Sequence, residues 1–406
     1  MVLASPFRAL RPTPAVAPRV ASVPYDVVST EEARVGADGE PLSFLRVTRS
    51  ELELEADADP YADEVYERAR RNFQSLRQRA PLLTEAEPSL YLYRMTMGEH
   101  TQTGVAAAFS VDEYEHGSIK RHEKTRRAKE DDRTRHITRL RAQTGVVLLT
   151  YRATEDIDTI VERAVQDEPL YDFVAPDGVA HRVWRTSAST RDALTVAFSR
   201  VRALYIADGH HRAASAARAR AELRGQDPTT VEPCDTFLAV AFPDAQMQVM
   251  AYHRVVRDLA GHSVDAFWAE LEGRFRTLTP TPTPPGAGTF SVYAAGAWRS
   301  FELEPANGDG SPVEALDAER LSRQVLAPLL GIDDLRTDTR VDFVGGIRGV
   351  PELERRVDSG EASAAFALHP VSIAELLAVA DAGQIMPPKS TWFEPKLRDG
   401  LLIREI

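Results

Sequence analysis

Apolar side chains recur at helical spacing in residues 59–80, which read DPYADEVYERARRNFQSLRQRA. The positions that share one face of a helix with 3.6 residues per turn are Val65, Ala69, Phe73 and Leu76. Asp59 can accept hydrogen bonds from the first free amides, and Pro60 suits the first turn because it has no amide hydrogen to lose. The segment is therefore predicted to form a helix that packs this apolar face on a core.

Short apolar runs typical of strands alternate with helix-like segments along the rest of the chain. Residues 89–111 read as two strands joined by a turn near 98–101. Further strands are predicted at 145–152, 170–174, 181–185, 203–207, 236–242, 290–294, 299–303, 340–344 and 364–368. Helices are predicted at 121–142, 155–166, 190–200, 211–224, 313–330, 350–357 and 371–381. This alternation predicts an α/β to α+β fold with mixed sheets and flanking helices.

A proline-rich stretch marks the clearest connection between regions of the chain. Residues 277–290, TLTPTPTPPGAGTF, contain four prolines and two glycines, a composition typical of a stiff connector. We therefore expect a main α/β region over 1–276, a linker over 277–289 and a C-terminal α+β region over 290–406. We also expect the tail of the last region to return to the functional site of the main one.

The composition narrows the class of protein. The 406 residues carry a formal net charge of −12, which disfavours nucleic acid and anionic membranes as partners of the whole surface. A lone cysteine, Cys234, excludes an intrachain disulfide and a multi-cysteine metal site, and its apolar neighbours predict a buried position. No apolar run approaches the ~18 residues of a membrane span, and residues 1–27 lack the apolar core of a secretory signal. These features predict a cytoplasmic protein and leave its oligomeric state open.

The densest chemistry lies between an apolar strand and an alanine-rich helix, in YIADGHHRAASAARARAEL at 205–223. A strand that turns into a helix exposes unpaired amide hydrogens at the positive end of the helix dipole. Gly209 lets the backbone approach a ligand closely, and His210, His211 and Arg212 add hydrogen-bond donors. The turn is therefore a candidate phosphate site.

Asp208, directly before this glycine, is a candidate catalytic carboxylate or Mg²⁺ contact, and the alternative is a simple helix cap. His211 is the other candidate catalytic residue of the turn. The chain lacks Gly-x-x-x-x-Gly-Lys-Ser/Thr and His-Glu-x-x-His, so the common phosphate loop and the common zinc helix are both excluded.

Residues 120–141 carry a net positive charge in an otherwise acidic chain, with ten lysines or arginines against four acidic residues. Opposite charges four residues apart explain the outer arginines as a solvated helix face. The start of the predicted helix differs, because it offers the cations and the carboxylate that phosphoryl transfer requires. Glu123 is the candidate general base. The candidate phosphate contacts are Arg121, His122, Thr125 and Lys129.

Three shorter motifs add candidates near the ends of the chain and beyond its middle. The stiff loop MPPKSTWFEPK carries lysines and hydroxyls that suit an anion, namely Lys389, Ser390, Thr391 and Lys396. In VPYDV, Tyr25 and Asp26 can hold a substrate amine, and in AYHRVV, His253 can contact substrate. The alternatives are structural turns for the first two motifs and a buried, hydrogen-bonded histidine for the third.

Five stretches, in this order along the chain, resemble the family catalogued as domain of unknown function 1015 (DUF1015). They are VPYDVVS at 23–29, GSIKRHEKTRRAKEDDR at 117–133, ADGHHRAASA at 207–216, AYHRVV at 251–256 and MPPKSTWFEPKLRDGLL at 386–402. The run from Asp208 to Arg212 also resembles the phosphate-binding box of the ParB/sulfiredoxin superfamily, which includes free-serine kinases. His210 stands where sulfiredoxin carries its cysteine, so sulfinic-acid repair is excluded.

These resemblances imply a phosphotransferase that acts on free L-serine or a similar small hydroxyl compound. They imply Mg²⁺ as cofactor and ATP, ADP or pyrophosphate as donor, with no adenine-recognition motif to choose among the three. The alternative is a ParB-like nucleotide-binding regulator without kinase activity, although no basic recognition helix is evident in the sequence. A third hypothesis is a structural or partner-binding protein that retains only the phosphate-type turn.

Overall fold

The computed structural model describes residues 3–55, 58–225, 230–306 and 310–406. The chain forms two compact units that interleave in sequence. The first unit comprises Met1–Lys120, Thr125–Met247 and Pro395–Ile406, and the second comprises Arg121–Lys124 and Gln248–Glu394. Each unit is built around sheets of its own.

The strands are short in both units. In chain order they are β1 (Ala4–Ser5), β2 (Ala9–Arg11), β3 (Leu83–Thr84), β4 (Tyr91–Met97), β5 (His100–Ser110), β6 (Ile119–Lys120), β7 (Ala142–Gln143), β8 (Val147–Tyr151), β9 (Tyr171–Val174), β10 (Ala180–Arg185), β11 (Leu204–Asp208), β12 (Thr236–Pro243), β13 (Gln248–Met250), β14 (Tyr252–Val256), β15 (Arg276–Leu278), β16 (Thr289–Ala294), β17 (Ala297–Glu302), β18 (Val341–Gly345), β19 (Ala364–Leu368), β20 (Trp392–Glu394) and β21 (Ile403–Glu405).

The helices alternate with these strands. They are α1 (Ala17–Val20), α2 (Thr30–Ala37), α3 (Leu45–Thr48), α4 (Asp63–Arg79), α5 (Val111–Glu115), α6 (Arg127–Leu140), α7 (Glu155–Ala164), α8 (Ala188–Phe198), α9 (His210–Leu223), α10 (Val264–Arg274), α11 (Asp317–Leu321), α12 (Ala327–Leu330), α13 (Gly349–Asp358) and α14 (Ile373–Asp381). The predicted mixture of sheets and flanking helices is confirmed.

A mixed sheet of nine strands forms the centre of the first unit. Its order is β6-β11-β8-β12-β5-β4-β10-β9, and β1 pairs with β5. β6 runs parallel to β11 and β8 parallel to β12, whereas the other neighbours are antiparallel. β8 is buried along its whole length, and β12 is buried beyond its first residue. Central strands covered on both faces are apolar without alternation, which is why they read as continuous apolar runs.

Helix α9 packs closely on this sheet because its first turns carry small side chains. Ala213, Ala214, Ser215 and Ala216 are all buried, and three of them belong to the core that includes Phe237 of β12. A helix without large side chains at the contact can approach a sheet more closely. The start of α9 is thereby held at one end of β11.

Three predicted helix starts are wrong, and one of them belongs to the helix predicted from residue 313, which begins at Asp317. The helix predicted from residue 121 begins at Arg127, and the helix predicted from 59 begins at Asp63 with Ala62 as its cap. Asp59 instead accepts a hydrogen bond from the Tyr61 amide at 2.9 Å, which makes a turn before the helix. The apolar face of α4 is buried as predicted.

A six-stranded antiparallel sheet forms the second unit, in the order β15-β17-β16-β19-β14-β18. One face packs on a large core that includes Phe267, Phe290, Phe301, Leu326 and Phe366. The other face packs on α13 through a smaller core with Val255, Tyr293, Val344 and Leu353. The predicted linker segment, 277–289, lies in this unit and connects β15 to β16. The predicted division of the chain at this segment stays a prediction.

One expectation from composition has a structural counterpart. Cys234 is buried, as its apolar neighbours predict. Within the described parts of the chain, no helix combines the length and apolarity that crossing a bilayer requires.

Candidate functional site

The turn between β11 and α9 has the geometry that the sequence predicts at Asp208-Gly209-His210. The strand ends at Asp208, where its register against β8 shifts, and the helix begins at His210. Gly209 has φ +94°, in the left-handed region where glycine is favoured. A Cβ atom at this position would lie 3.0 Å from both Cζ and Nε of Arg212. Glycine is therefore needed for the backbone angle and for the approach of the guanidinium.

The Arg212 side chain is 5% exposed and faces two carboxylates of the first unit. Its Nη2 atom lies 3.5 Å from Oδ2 of Asp26 and 3.4 Å from Oδ1 of Asp208. Its Nη1 atom donates to the carbonyl of Val146. Burial lowers the pKa of Arg212, but Asp26 and Asp208 outweigh burial and raise it above its usual value. The guanidinium therefore stays charged.

Lys396 brings a second cation to the same group of residues. Its Nζ atom donates to Oδ2 of Asp208 at 3.1 Å. Burial raises the pKa of Asp208, but Lys396 and Arg212 outweigh burial and hold this pKa well below its usual range. Asp208 is therefore ionised, with a cation close to each of its oxygens.

We call Asp26, Asp208, Arg212 and Lys396 the Arg212 cluster. Its two carboxylate side chains are its most exposed members, at 33% for Asp26 and 26% for Asp208. Gly209 itself is buried beneath the guanidinium. Arg212 is thus the group of this turn that faces the carboxylates, and direct contact of the Gly209 amide with phosphate stays a prediction.

A buried carboxyl, Asp399, lies close behind the cluster. Its Oδ1 atom accepts a hydrogen bond of 3.4 Å from the Val146 amide, and its Oδ2 atom has no hydrogen-bond partner among the described residues. Burial raises the pKa of Asp399 to about 7, although Arg212 acts in the opposite direction. Val146 thus accepts from Arg212 and donates to Asp399.

A cavity of about 30 Å³ lies beside Arg212 in the first unit. Its walls include Tyr25, Arg133, His136 and Gly145. A space of this size holds one or two waters rather than a nucleotide. A larger ligand would therefore meet the cluster at its exposed carboxylates.

Tyr25 is buried, and its ring lies under the guanidinium of Arg133, 4.2 Å from ring centroid to Cζ. Burial raises the pKa of its hydroxyl, with a further contribution from Asp26. Arg133 pairs with the neighbouring Asp132. Tyr25 thus packs beside the cluster, and its buried position fixes the backbone of the next residue, Asp26.

The remaining predicted residues of the first unit lie around the starts of α6 and α9. The Arg126 amide donates to Nε2 of His211 at 2.9 Å, so this nitrogen is an acceptor. Thr125 donates to the Glu130 carboxylate. Lys129 lies over the Tyr61 ring, at 5.5 Å, and His210 is buried.

The second unit holds the other predicted residues. Arg121, His122 and Glu123 lie in a loop before α6 rather than in its first turn, and the Met386 amide donates to the His122 carbonyl at 2.8 Å. The Ser390 hydroxyl donates to the Pro387 carbonyl at 2.8 Å, which closes a turn.

Lys389 and His253 belong to the same unit, as does Thr391. Lys389 has φ +59° and its Nζ lies 5.7 Å from the Tyr252 ring centroid. His253 is buried, accepts from the Leu368 amide at 3.2 Å through Nδ1, and has its pKa lowered by burial to about 4. The hydrogen-bonded histidine that the sequence left as an alternative is therefore present.

The described residues contain no group of three or more histidine, cysteine or acidic side chains arranged to hold a metal ion. Asp208, the predicted Mg²⁺ contact, has its oxygens beside Lys396 and Arg212. A resident Mg²⁺ does not fit this arrangement, because two cations already occupy the positions around the carboxylate.

Comparison with known families supplies the classification. The model of the family described as "Protein of unknown function (DUF1015)" matches residues 4–319, which is most of the chain. The chain belongs to this family. The DUF1015 motifs fall on both units, because the turn at Gly209 lies in the first and AYHRVV in the second.

Some solved structures are similar to this DUF1015 protein at low identity. A conserved hypothetical protein from Pyrococcus furiosus is 12% identical, with 73% of this chain and 94% of that chain covered and a TM-score of 0.35. A C-terminally truncated SbnI from Staphylococcus aureus is 14% identical, with 72% and 85% covered and a TM-score of 0.37. A free serine kinase in complex with AMP is 12% identical, with 73% and 91% covered and a TM-score of 0.37. No curated protein matches the chain.

Sequence reasoning missed part of this candidate site. Asp399 was not singled out, although it precedes Gly400 as Asp208 precedes Gly209. Gly145 was also missed, and a Cβ there would lie 3.0 Å from Cδ of Arg212. Neither signal separates a site residue from an ordinary turn, because Asp-Gly and single glycines are common turn formers.

Proposed function

We propose that this DUF1015 protein is a small-molecule kinase that transfers a phosphoryl group to a hydroxyl, with free L-serine as the acceptor. The observation that carries the proposal is the Arg212 cluster, in which two cations and two partly exposed carboxylates meet at the start of α9. Phosphoryl transfer depends on positioning and on cations that neutralise the moving phosphoryl group. The resemblance of the turn to the phosphate box of free-serine kinases supports the choice of acceptor.

In this proposal Arg212 and Lys396 bind the transferred phosphoryl group. The contacts of Arg212 Nη2 with Asp26 and Asp208, at 3.5 and 3.4 Å, are long for charge-assisted hydrogen bonds, which are usually about 2.7–2.9 Å. A phosphate oxygen would compete well for this nitrogen. The planar guanidinium can then hold two oxygens at once, whereas Lys396 acts as a point charge.

Asp26 is the carboxylate best placed to accept the proton of the acceptor hydroxyl. It contacts one cation, whereas Asp208 is held by two and has a depressed pKa that makes it a weak base. When a phosphate draws Arg212 away, Asp26 is released for the hydroxyl. Asp208 then positions Lys396 and Arg212. Glu123, the base predicted from sequence, remains the rival candidate.

The donor is ATP, ADP or pyrophosphate, and we propose that Mg²⁺ enters bound to it. Mg²⁺ in such reactions is commonly held by one or two carboxylates together with the phosphates of the substrate, so a closed protein cage is unnecessary. The proposal therefore requires no resident metal beside Asp208.

The test incubates the purified protein with L-serine, Mg²⁺ and each donor in turn, and measures O-phosphoserine. We expect product with at least one donor. Asp26→Asn should reduce kcat by about 10²–10⁴-fold, the usual contribution of a general base, while Glu123→Gln should change it less than threefold. No phosphoserine with any donor would overturn the acceptor assignment, and the reverse ranking of the two variants would make Glu123 the base.

A further inference from the structure

Arg254 in the second unit is the largest side chain of the described residues that is fully buried, with 0% exposure. It lies on β14, between Phe343 of β18 and Phe366 of β19. Its guanidinium is 5.4 Å from the centroid of the Phe343 ring. A charged group therefore stands in an aromatic and aliphatic environment.

Only one of the three nitrogen atoms of this guanidinium donates a hydrogen bond to a described residue. Nη1 donates to the carbonyl of Tyr252, whereas Nε and Nη2 have no partner among the described residues. Nε–H and Nη2–H lie on one edge of the planar group and point in the same direction. That edge is the fork that binds two oxygens of a carboxylate or a phosphate.

Two other buried arginines of the described residues have acidic partners. Arg398, with a side chain 3% exposed, pairs with Asp177, and Arg212 faces Asp26 and Asp208. Arg254 has no ion pair in the described parts of the chain, and burial lowers its pKa to about 10 with only Tyr252 opposing the shift. A buried cation without a partner is costly, and proteins normally pair it.

We propose that the free edge of Arg254 binds an oxyanion, either a carboxylate or a phosphate group of a small molecule, at a second site in the second unit. This inference goes beyond the proposed kinase activity and does not depend on it. Nε–H and Nη2–H each donate to one oxygen of the ligand. The bound charge then takes the place of the acidic partner that Arg254 lacks among the described residues.

The Tyr252 ring, two residues before Arg254 on β14, has a cation and a second aromatic ring against it. Lys389 lies over the Tyr252 ring, and the Trp392 ring meets the same ring at 5.4 Å and 82°. Tyr252 in turn holds Arg254 through its carbonyl. The oxyanion reaches the buried edge only when a covering side chain moves, so its apparent affinity is reduced by the cost of that opening.

The test measures thermal unfolding of the full chain in sodium acetate, sodium phosphate and sodium chloride at equal ionic strength. We expect an oxyanion to raise the Tm of the wild type by roughly 3 °C or more over chloride, since a ligand that binds only the folded state stabilises it. A shift in phosphate alone identifies a phosphate ligand, and a shift in acetate alone identifies a carboxylate. Any shift that survives in an Arg254 variant comes from other cations of the protein or from the general effect of the salt.

Two variants of Arg254 test the proposal, and a third variant, at another buried arginine, serves as the control. Arg254→Lys keeps the charge without the fork and should lose the oxyanion shift. Arg254→Met should lose it too and should have a higher Tm in chloride, because it removes an unpaired buried charge. Arg404→Met is the matched control: Arg404 is also buried with a pKa lowered to about 10, but it donates to the Pro233 and Thr236 carbonyls.

Arg404→Met should therefore keep the full oxyanion shift. The proposal is overturned if the wild type shows no shift in either oxyanion. It is also overturned if both Arg254 variants retain the whole wild-type shift. If Arg254→Met does not fold, Arg254→Lys and the NMR signal of the Arg254 Nε–H give the answer. That signal should move downfield when the oxyanion binds and should otherwise stay in place.

Discussion

At the scale of single residues, Arg212 organises the candidate site. It is buried, it faces both Asp26 and Asp208, and it packs against two glycines, where an added Cβ atom would lie 3.0 Å from its side chain. A guanidinium in such a position offers several N–H donors in one plane. Its neighbours Asp26 and Lys396 lie 370 residues apart in sequence, and each supplies a single charge.

Arg212→Lys tests the geometry of this cation. The variant keeps the charge, so Asp208 and Asp26 retain a partner and the fold should survive. It loses the planar fork, and we expect kcat for phosphoserine formation to fall by about 10²-fold or more, the scale seen when a donor that stabilises the transition state is removed. Circular dichroism and steady-state kinetics give the two readouts. Turnover within threefold of the wild type would remove the guanidinium from the mechanism.

Asp399→Asn tests the buried carboxyl through the pH dependence of stability. The pKa of Asp399 is about 7 in the folded protein and about 3.9 unfolded, so between these values the folded state binds the extra proton. Its contribution to the free energy of unfolding must therefore fall as pH rises from about 4 to 7. His136, whose pKa is lowered to about 4, acts with the opposite sign between about 4 and 6.5.

The comparison of the two proteins cancels the histidine contribution. We expect the Tm of Asp399→Asn minus that of the wild type to increase as pH rises from 4 to 7, because the variant lacks the carboxyl that must ionise inside the core. Calorimetric scans at closely spaced pH values provide the measurement. A difference that is constant over this range would show that Asp399 titrates normally.

At the scale of elements, the strand–turn–helix unit β11-Gly209-α9 is the part that sequence reasoning predicts well. The apolar run, the glycine and the alanine-rich segment each have one ready structural interpretation, and the hairpin β4–β5 was predictable for the same reason. The start of α6 was not, because opposite charges four residues apart favour a helix but do not mark its first residue. The Arg126 amide binds His211 instead of a helical partner, and this long-range contact is invisible in sequence.

Gly209→Ala tests the turn, with Gly117→Ala as its matched control. Gly117 has φ +85° and open space around its Cβ position, so its variant pays only the backbone cost of about 1 kcal/mol. Gly209→Ala has a similar backbone penalty, and its added Cβ atom also makes a tight contact with the Arg212 side chain. We expect it to lower the free energy of unfolding by at least about 1 kcal/mol more than the control does. If urea denaturation shows the same loss of unfolding free energy in both variants, the Arg212 side chain moves aside without an energetic penalty.

At the scale of the whole molecule, the chain leaves the first unit after Met247 and re-enters it at Pro395. The returning segment supplies Lys396 and Asp399 to the site and β21 to a four-stranded sheet with β2, β3 and β7. The sequence led us to expect a tail that returns to the site. Periodicity and composition describe only neighbours in sequence, so they could not show where the chain leaves the first unit and where it re-enters it. The residues 121–124 are assigned to the second unit by the same kind of long-range packing.

Removal of residues 395–406 should therefore unfold the first unit rather than merely inactivate it. The deletion takes away Leu397, Leu401, Leu402 and Ile403, which are all buried, and leaves β2 and β7 without their shared strand. Lys396→Met is the control that should stay folded and lose activity. A truncated protein that unfolds cooperatively at the wild-type Tm would contradict this account of the returning segment.

The central claim is that Arg212 and Lys396 bind a phosphate group of the donor. The most direct measurement is a crystal structure with pyrophosphate or a nucleotide bound. The account predicts phosphate oxygens within hydrogen-bond distance of the Arg212 guanidinium and the Lys396 ammonium, with Asp26 released from Arg212. A donor bound with its phosphates away from both cations, while Arg212 still faces Asp26 and Asp208, would contradict it.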